Sequence, residues 1–170
     1  MTVQLGKYFL TELSKKDETE IVRFFAHSAD FARLTSGKSE PEEDFLTLIN
    51  ELPEGKNPAD KIVFGLVDKS GKVLAVIDLL RDFPEDGEWM IGLLEILPEL
   101  RGKGLGKELH TEIVAFAKKA GAKSLRIGVF LDNPQALKFW ESLGYQTFKQ
   151  VKLTFGEKNH ETAVMRRKIW

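Results

Sequence analysis

Leu94–His110 reads LEILPELRGKGLGKELH, an apolar strand that runs into glycines at 102, 104 and 106 and then into a helix. Arg101, Lys103 and Lys107 place three cations at the same junction. Two readings compete for such a stretch. One is a tight connection between a strand and a helix. The other is a cradle of main-chain amides for a phosphate, since the first turn of a helix leaves its N–H groups unpaired and its dipole favours an anion. Glycine serves the second reading in two ways: it takes positive φ at low cost, and it lets an anion approach the backbone closely.

Outward from this junction the hydrophobic period changes. Leu105, Leu109, Ile113, Phe116 and Ala120 share one helical face, closed by Gly121 as a left-handed cap. Ser124 to Leu131 reads as a further strand, so strand, helix and strand form a right-handed βαβ unit with parallel strands. Asp132-Asn133-Pro134 opens a short helix carrying Ala136, Leu137, Trp140 and Leu143, stopped by Gly144. The tail, Tyr145 to Phe155 and Thr162 to Trp170, is expected to close as a hairpin across GEKNH. Upstream, KIVFGLVD and VLAVIDLL flank KSGK as a hairpin, and Trp89 to Leu97 follows as a third antiparallel partner. Leu5 to Leu13 reads as the first strand. A helix pair then follows, one starting at Ser14 with Ile21, Phe25, Ala29 and Ala32 in its stripe, one starting near Pro41 with Phe45, Leu48, Ile49 and Leu52.

Spacing disposes of two familiar phosphate loops. A Walker loop aligned on Gly106 and Lys107 would need glycine where Arg101 stands and a hydroxyl where Glu108 stands. A Rossmann fingerprint needs G-x-G-x-x-G, whereas this chain has G-x-G-x-G, and Asp132 falls about ten residues too late for a ribose ligand.

The run Arg101 to Gly106, R-x-x-G-x-G, resembles motif A of the GNAT superfamily of acetyl-CoA-dependent N-acetyltransferases. Asn133-Pro-Gln-Ala136-Leu-Lys-Phe139-Trp140-Glu-Ser-Leu-Gly144-Tyr145 is similar to its motif B, about 27 residues further on. The order of elements agrees along the whole chain. The resemblance implies a single N-acetyltransferase domain over residues 1–170 and an α/β (α+β) fold. Its sheet would be mixed and mostly antiparallel, of six to seven strands, with a central parallel βαβ unit and helices on both faces. It also implies transfer of an acetyl group from acetyl-CoA, as co-substrate, to a primary amine in a ternary complex, with no metal.

On that resemblance the main chain of Leu94, Glu95 and Ile96 would hold the pantetheine arm, and Arg101, Gly102, Lys103, Gly104, Leu105, Gly106 and Lys107 the diphosphate. Asn133 would touch the cofactor arm; it also reads as an N-cap before Pro134. The Ile96 amide is the candidate oxyanion donor. For the base, the residues themselves offer Glu95 within MIGLLEILP and Asp78 within VLAVIDLL, lone carboxylates in apolar strands that burial would push toward neutral pKa. Glu95 is favoured, being nearer the expected thioester. Whether the two share a face depends on hairpin register. The family's usual tyrosine acid is replaced by Trp140, which cannot release a proton; it would pack over the pantetheine or serve as core. Tyr145 matches the motif's structural aromatic. His27, His110 and His160 lie on separate elements without metal-ligand spacing.

Composition narrows the partners. A net charge of -1 gives no global field for a polyanion, so neither nucleic acid nor an anionic membrane is an expected partner. Cysteine is absent, no window approaches a membrane span and no signal-like apolar segment opens the chain, which fits a cytoplasmic protein. Asp78, Asp82, Glu85, Asp86, Glu88 and Glu95, with Arg81 alone among them as a cation, suggest an acidic rim for a small cationic or peptide amine. The GNAT resemblance implies that the helix pair from Thr19 to Leu52 shapes the acceptor side. The apolar end at Ile169 and Trp170 points to a partner surface such as a homodimer. The alternatives are a non-catalytic CoA-binding regulatory module and a dinucleotide-binding domain.

Overall fold

The computed structural model describes residues 1–170. Its strands are β1 (Thr2–Leu5), β2 (Tyr8–Glu12), β3 (Lys61–Val67), β4 (Val73–Leu80), β5 (Glu88–Ile96), β6 (Ser124–Phe130), β7 (Gln146–Phe155) and β8 (Lys158–Lys168). Its helices are α1 (Glu18–His27), α2 (Ala29–Ser36), α3 (Pro41–Asn50), α4 (Leu105–Lys119) and α5 (Pro134–Ser142). All eight strands join one sheet in the order β1-β2-β3-β4-β5-β6-β8-β7, antiparallel except for the β5–β6 pair.

The mixed sheet with its central βαβ unit is the expected architecture, with eight strands rather than six or seven. The extra strand comes from the N-terminus. Gly6 takes φ +57 and turns Leu5 back onto Tyr8, so the expected single strand from Leu5 to Leu13 is the second half of a hairpin. The first expected helix is two, α1 and α2, broken at Ser28. At the C-terminus β8 starts at Lys158, and the turn is Gly156-Glu157 rather than the five-residue GEKNH.

Alternation along β3 decides which face each helix covers. Val63 lies opposite Asp78, and Asp78 opposite Leu93, while Glu95 lies opposite Val76. Val63, Asp78 and Glu95 therefore share one face. Ser28, between α1 and α2, bonds Glu95 and puts those helices over this face. Phe64 projects from the other face, fully buried, and meets Phe116 of α4 edge-on at 5.1 Å. Trp89 closes on Phe116 at 6.0 Å, pinning the helix across β3 and β5. α5 joins α4 on that side through the contact of His110 with Trp140.

One break in the sheet positions the site. β5 and β6 pair only through Glu88–Met90 against Ser124–Arg126. A bulge at Gly92, where Leu79 pairs Ile91 but Asp78 pairs Leu93, bends β5 away from β6. A Cβ on Gly92 would lie 2.7 Å from Asp78 Oδ2, so glycine admits the bend. From Ile91 to Ile96, about 20 Å at the usual rise per residue, β5 has no strand partner on its β6 side.

Candidate active site

The glycine junction stands at the mouth of that wedge. Gly102 and Gly104 have φ +72 and +85, which L side chains rarely adopt, and both face open space. Gly104 is the N-cap of α4, and the first amide engaged is that of Glu108, donating to Gly104 O. The amides from Gly102 to Lys107 take part in no hydrogen bond of the molecule. Six consecutive N–H groups, the last three in the first turn of the fifteen-residue α4, are thus free to donate to an anion. Gly106 has a different task. A Cβ there would lie 3.1 Å from the Phe139 ring, so this glycine lets α5 approach α4 instead of opening the loop to a ligand. Gly104→Ala puts a side chain at positive φ, a cost of about 1 kcal/mol. It is expected to lower the Tm by about 2–4 °C in scanning calorimetry.

The three cations divide. Lys107 has no polar partner and is free to meet an anion; Lys103 bonds its own turn, Nζ to Glu99 O at 2.9 Å. Arg101 departs from expectation. Its guanidinium grips both oxygens of Asp30, donates to Ser28 Oγ at 3.1 Å, and its Nε donates to Ile96 O at 2.8 Å. Asp30 draws it toward α2 and away from the loop amides, holding its own carboxyl below the ordinary range through that bond.

Strand alternation sorts the main-chain groups of β5. Leu97 donates to Leu74 O on β4, so Glu95 also faces β4, while Leu94 and Ile96 face the wedge. The amides of Leu94 and Ile96 and the carbonyl of Leu94 are open there. The main chain of Glu95 is not, because its pairing with Val76 occupies it.

Glu95 instead brings its side chain. It is 5% exposed and accepts from Ser28 Oγ through Oε1 at 2.6 Å. Burial pushes its carboxyl up to about 7; the Ser28 bond and the Arg101 charge oppose that, and Asp30 and Asp44 add to it. Asp78, diagonally across the same face, is bound to Lys61 Nζ at 3.1 Å, and its Oδ1 is buried without a partner. Burial raises its pKa as well, against the Lys61 charge. An occupied, ion-paired carboxylate is the weaker base candidate.

Trp140 is 7% exposed and packs edge-on against His110, Phe139 and Tyr145, in keeping with the core reading of this residue. Tyr145, 2% exposed, bonds His110 at 2.9 Å, and burial moves its hydroxyl upward. The same burial lowers His110 to about 4, so the pair is neutral and structural. Asn133 caps α5, its Oδ1 accepting from Ala136 at 3.2 Å, which leaves its amide NH₂ unused. Ile169 is 5% exposed and bonds Lys123 O, so only Trp170 remains of the expected partner surface.

The part of the expected acidic rim from Asp82 to Glu88 lies at the other end of β5. Glu88 is tied to Arg166 and Arg126, and Asp82 to the Gly87 amide, about 25 Å of strand from Ile96. Carboxylates gather elsewhere. A cleft of about 250 Å³ between α2, α3 and the β7–β8 turn is lined by Glu40, Glu43, Asp44 and Glu157, with Lys38 the only cation. Asp44 Oδ2 is buried there without a partner, and burial with the charges of Glu40 and Glu43 raises its pKa. The Asp44 charge also contributes to raising the Glu95 pKa. Ser28, Asp30 and Asp44 were not singled out from sequence. Ser28 alone left a trace, a hydroxyl interrupting the apolar stripe FFAHSADFA.

Residues 19–145 match the model of the acetyltransferase (GNAT) family. The chain belongs to the GNAT family. An uncharacterised N-acetyltransferase of Methanocaldococcus jannaschii is 33% identical over 55 residues, 32% of this chain and 24% of that one. The matched segment thus spans about a quarter of that relative's length. Two solved GNAT-like structures extend the likeness over the whole fold. An acetyltransferase from Thermus thermophilus is 21% identical with a TM-score of 0.73, covering 99% of both chains. A spermidine N-acetyltransferase from Vibrio cholerae, in complex with CoA and spermine, is 14% identical with a TM-score of 0.71 over 96% of each chain.

Proposed function

We propose that this GNAT protein transfers the acetyl group of acetyl-CoA to a primary amine carrying positive charge, within a ternary complex, in the cytoplasm. The observation that carries the reading is the juxtaposition of six free amides, an unpaired strand edge and a buried carboxylate with pKa about 7. The amides from Gly102 to Lys107, with Lys107, would bind the diphosphate. Leu94 and the Ile96 amide would pair the pantetheine as an added strand, with the Asn133 NH₂ available from the start of α5. The amine nitrogen attacks the thioester carbonyl, and the oxyanion forms against the wedge-facing amide of Ile96 or Leu94. Glu95 accepts the amine's proton, and the tetrahedral intermediate expels the thiolate. A thiol of pKa about 8.5 leaves without a protein acid, which suits a site where Trp140 stands in place of tyrosine.

The acidic cleft at Asp44 supports a cationic acceptor, because four carboxylates against one lysine concentrate cations on that side of the molecule. The Vibrio structure with spermine is a similar fold holding such a ligand. An assay of free CoA release across a panel of spermidine, a lysine peptide and neutral monoamines tests the proposal. Turnover is expected with the charged members. Since Glu95 must be ionised, kcat/KM is expected to rise with pH through a limb near 7 and to level above 8.

The buried Trp140 also favours a second reading, a CoA-binding regulatory module without chemistry. Calorimetric CoA binding without turnover of any panel amine would decide for it.

A further inference from the structure

Ser28 sits at the break between α1 and α2, 1% exposed, and its hydroxyl makes two bonds of fixed sense. An ionised carboxylate can only accept, so Ser28 donates its single proton to Glu95 Oε1 at 2.6 Å. A guanidinium can only donate, so Ser28 accepts from Arg101 Nη2 at 3.1 Å. Arg101 is itself held by Asp30 and by Ile96 O. The first residue of the glycine motif, the end of β5 and the start of α2 thus form one frame around a single hydroxyl. Glu95 Oε2 has no protein partner.

We propose that Ser28 is a positioning residue for acetyl transfer: by occupying Glu95 Oε1 it fixes the carboxylate's rotation and leaves Oε2 as the oxygen that takes the amine's proton. This rests on the reading of Glu95 as the base. In the step, the amine nitrogen forms a bond to the acetyl carbon and the N–H proton passes to Oε2. The C–S bond then breaks, its electron pair leaving with the thiolate. A proton on Oε2 leaves the Ser28 bond to Oε1 undisturbed, so the frame holds through the reaction.

The charged groups around Glu95 are Arg101 from the loop, Asp30 from α2, Asp44 from α3, and Asp78 with Lys61 across β4 and β3. His27, beside Ser28, turns instead to Glu99 at 3.1 Å. Among the protein's side chains only that of Ser28 bonds the Glu95 carboxylate. Its removal is therefore distinguishable from a general change in local charge.

The test uses the full chain labelled with ¹³C at glutamate carboxyls, titrated by NMR, with the Glu95 signal identified by its loss in Glu95→Gln. Ser28→Ala is expected to raise the Glu95 midpoint by about one pH unit, because a hydrogen bond to the ionised form has gone. Ser28→Thr, which keeps the hydroxyl, is expected to restore the midpoint. Ser28→Cys, close in volume and a weak donor, repeats the upward shift and serves where the alanine variant fails to fold. For whichever panel amine turns over, kcat/KM in Ser28→Ala falls about fivefold at pH 7 and recovers toward wild type at pH 9. An unmoved midpoint in the alanine and cysteine variants overturns the proposal. Wild-type turnover in Glu95→Gln removes the base reading beneath it, whereas an inactive Glu95→Gln with unmoved Ser28 variants sinks this inference alone.

Discussion

Glu95→Gln lowers amine acetylation about 10²- to 10⁴-fold, the usual contribution of a positioned general base, while coenzyme A affinity stays at the wild-type value. The glutamine keeps an oxygen for Ser28 Oγ, so the frame around Arg101 and Asp30 survives and only the proton acceptor is lost. The same change stabilises the fold above neutral pH. Glu95 titrates at about 7 in the folded protein against an ordinary 4.5. With the folded pKa raised, its contribution to stability is fully present below 4.5 and is lost as pH rises through 7. Above pH 8 the folded state carries a buried charge that the unfolded chain leaves in water, a penalty of order 3 kcal/mol. Glu95→Gln removes that penalty, so calorimetric Tm rises by several degrees at pH 8.5 and shows no gain at pH 4. A variant that loses both activity and stability at pH 8.5 would show that burial of the carboxylate is not the source of its raised pKa.

Phe64→Ala tests the opposite face of the sheet. Phe64 is fully buried, and its edge contact with Phe116 continues to Trp89, so one ring links β3 to α4 and through it to β5. Truncating a buried phenylalanine costs about 3–5 kcal/mol, since transfer energy and packing are lost together. For a chain of this length that is a fall in Tm of roughly 10 °C. Urea unfolding should show a lower midpoint with an unchanged slope. A loss under about 1 kcal/mol would mean that α4 is held to the sheet by Leu109 and Ile113 without help from the aromatic trio.

The centre of this molecule was readable from its residues because each local signal agreed with its neighbours. A glycine-rich turn between an apolar strand and an amphipathic helix has few alternative folds, and motif B follows at a fixed distance. The edges were less readable. A single Gly6 turns four residues into a strand that no hydrophobic run announces, and the break at Ser28 leaves the helical period almost intact across it. In the site, the glycine amides, Glu95 and the doubtful place of Asp78 followed from local pattern. The role of Arg101 did not, because its partner Asp30 lies 71 positions away and only the folded chain brings them together. The acidic cleft was missed for the same reason. Asp82, Glu85 and Glu88 are near Glu95 in sequence and remote along the strand, whereas Asp44 is near it only through the packing of α3.

The narrow seam between β5 and β6 has a mechanical meaning. Three residue pairs join a five-strand leaf, β1 to β5, to a three-strand leaf, β6 to β8, so the two are sewn at one end and free at the other. On the proposed reading the pantetheine would lie between the leaves as the missing stitch, touching both.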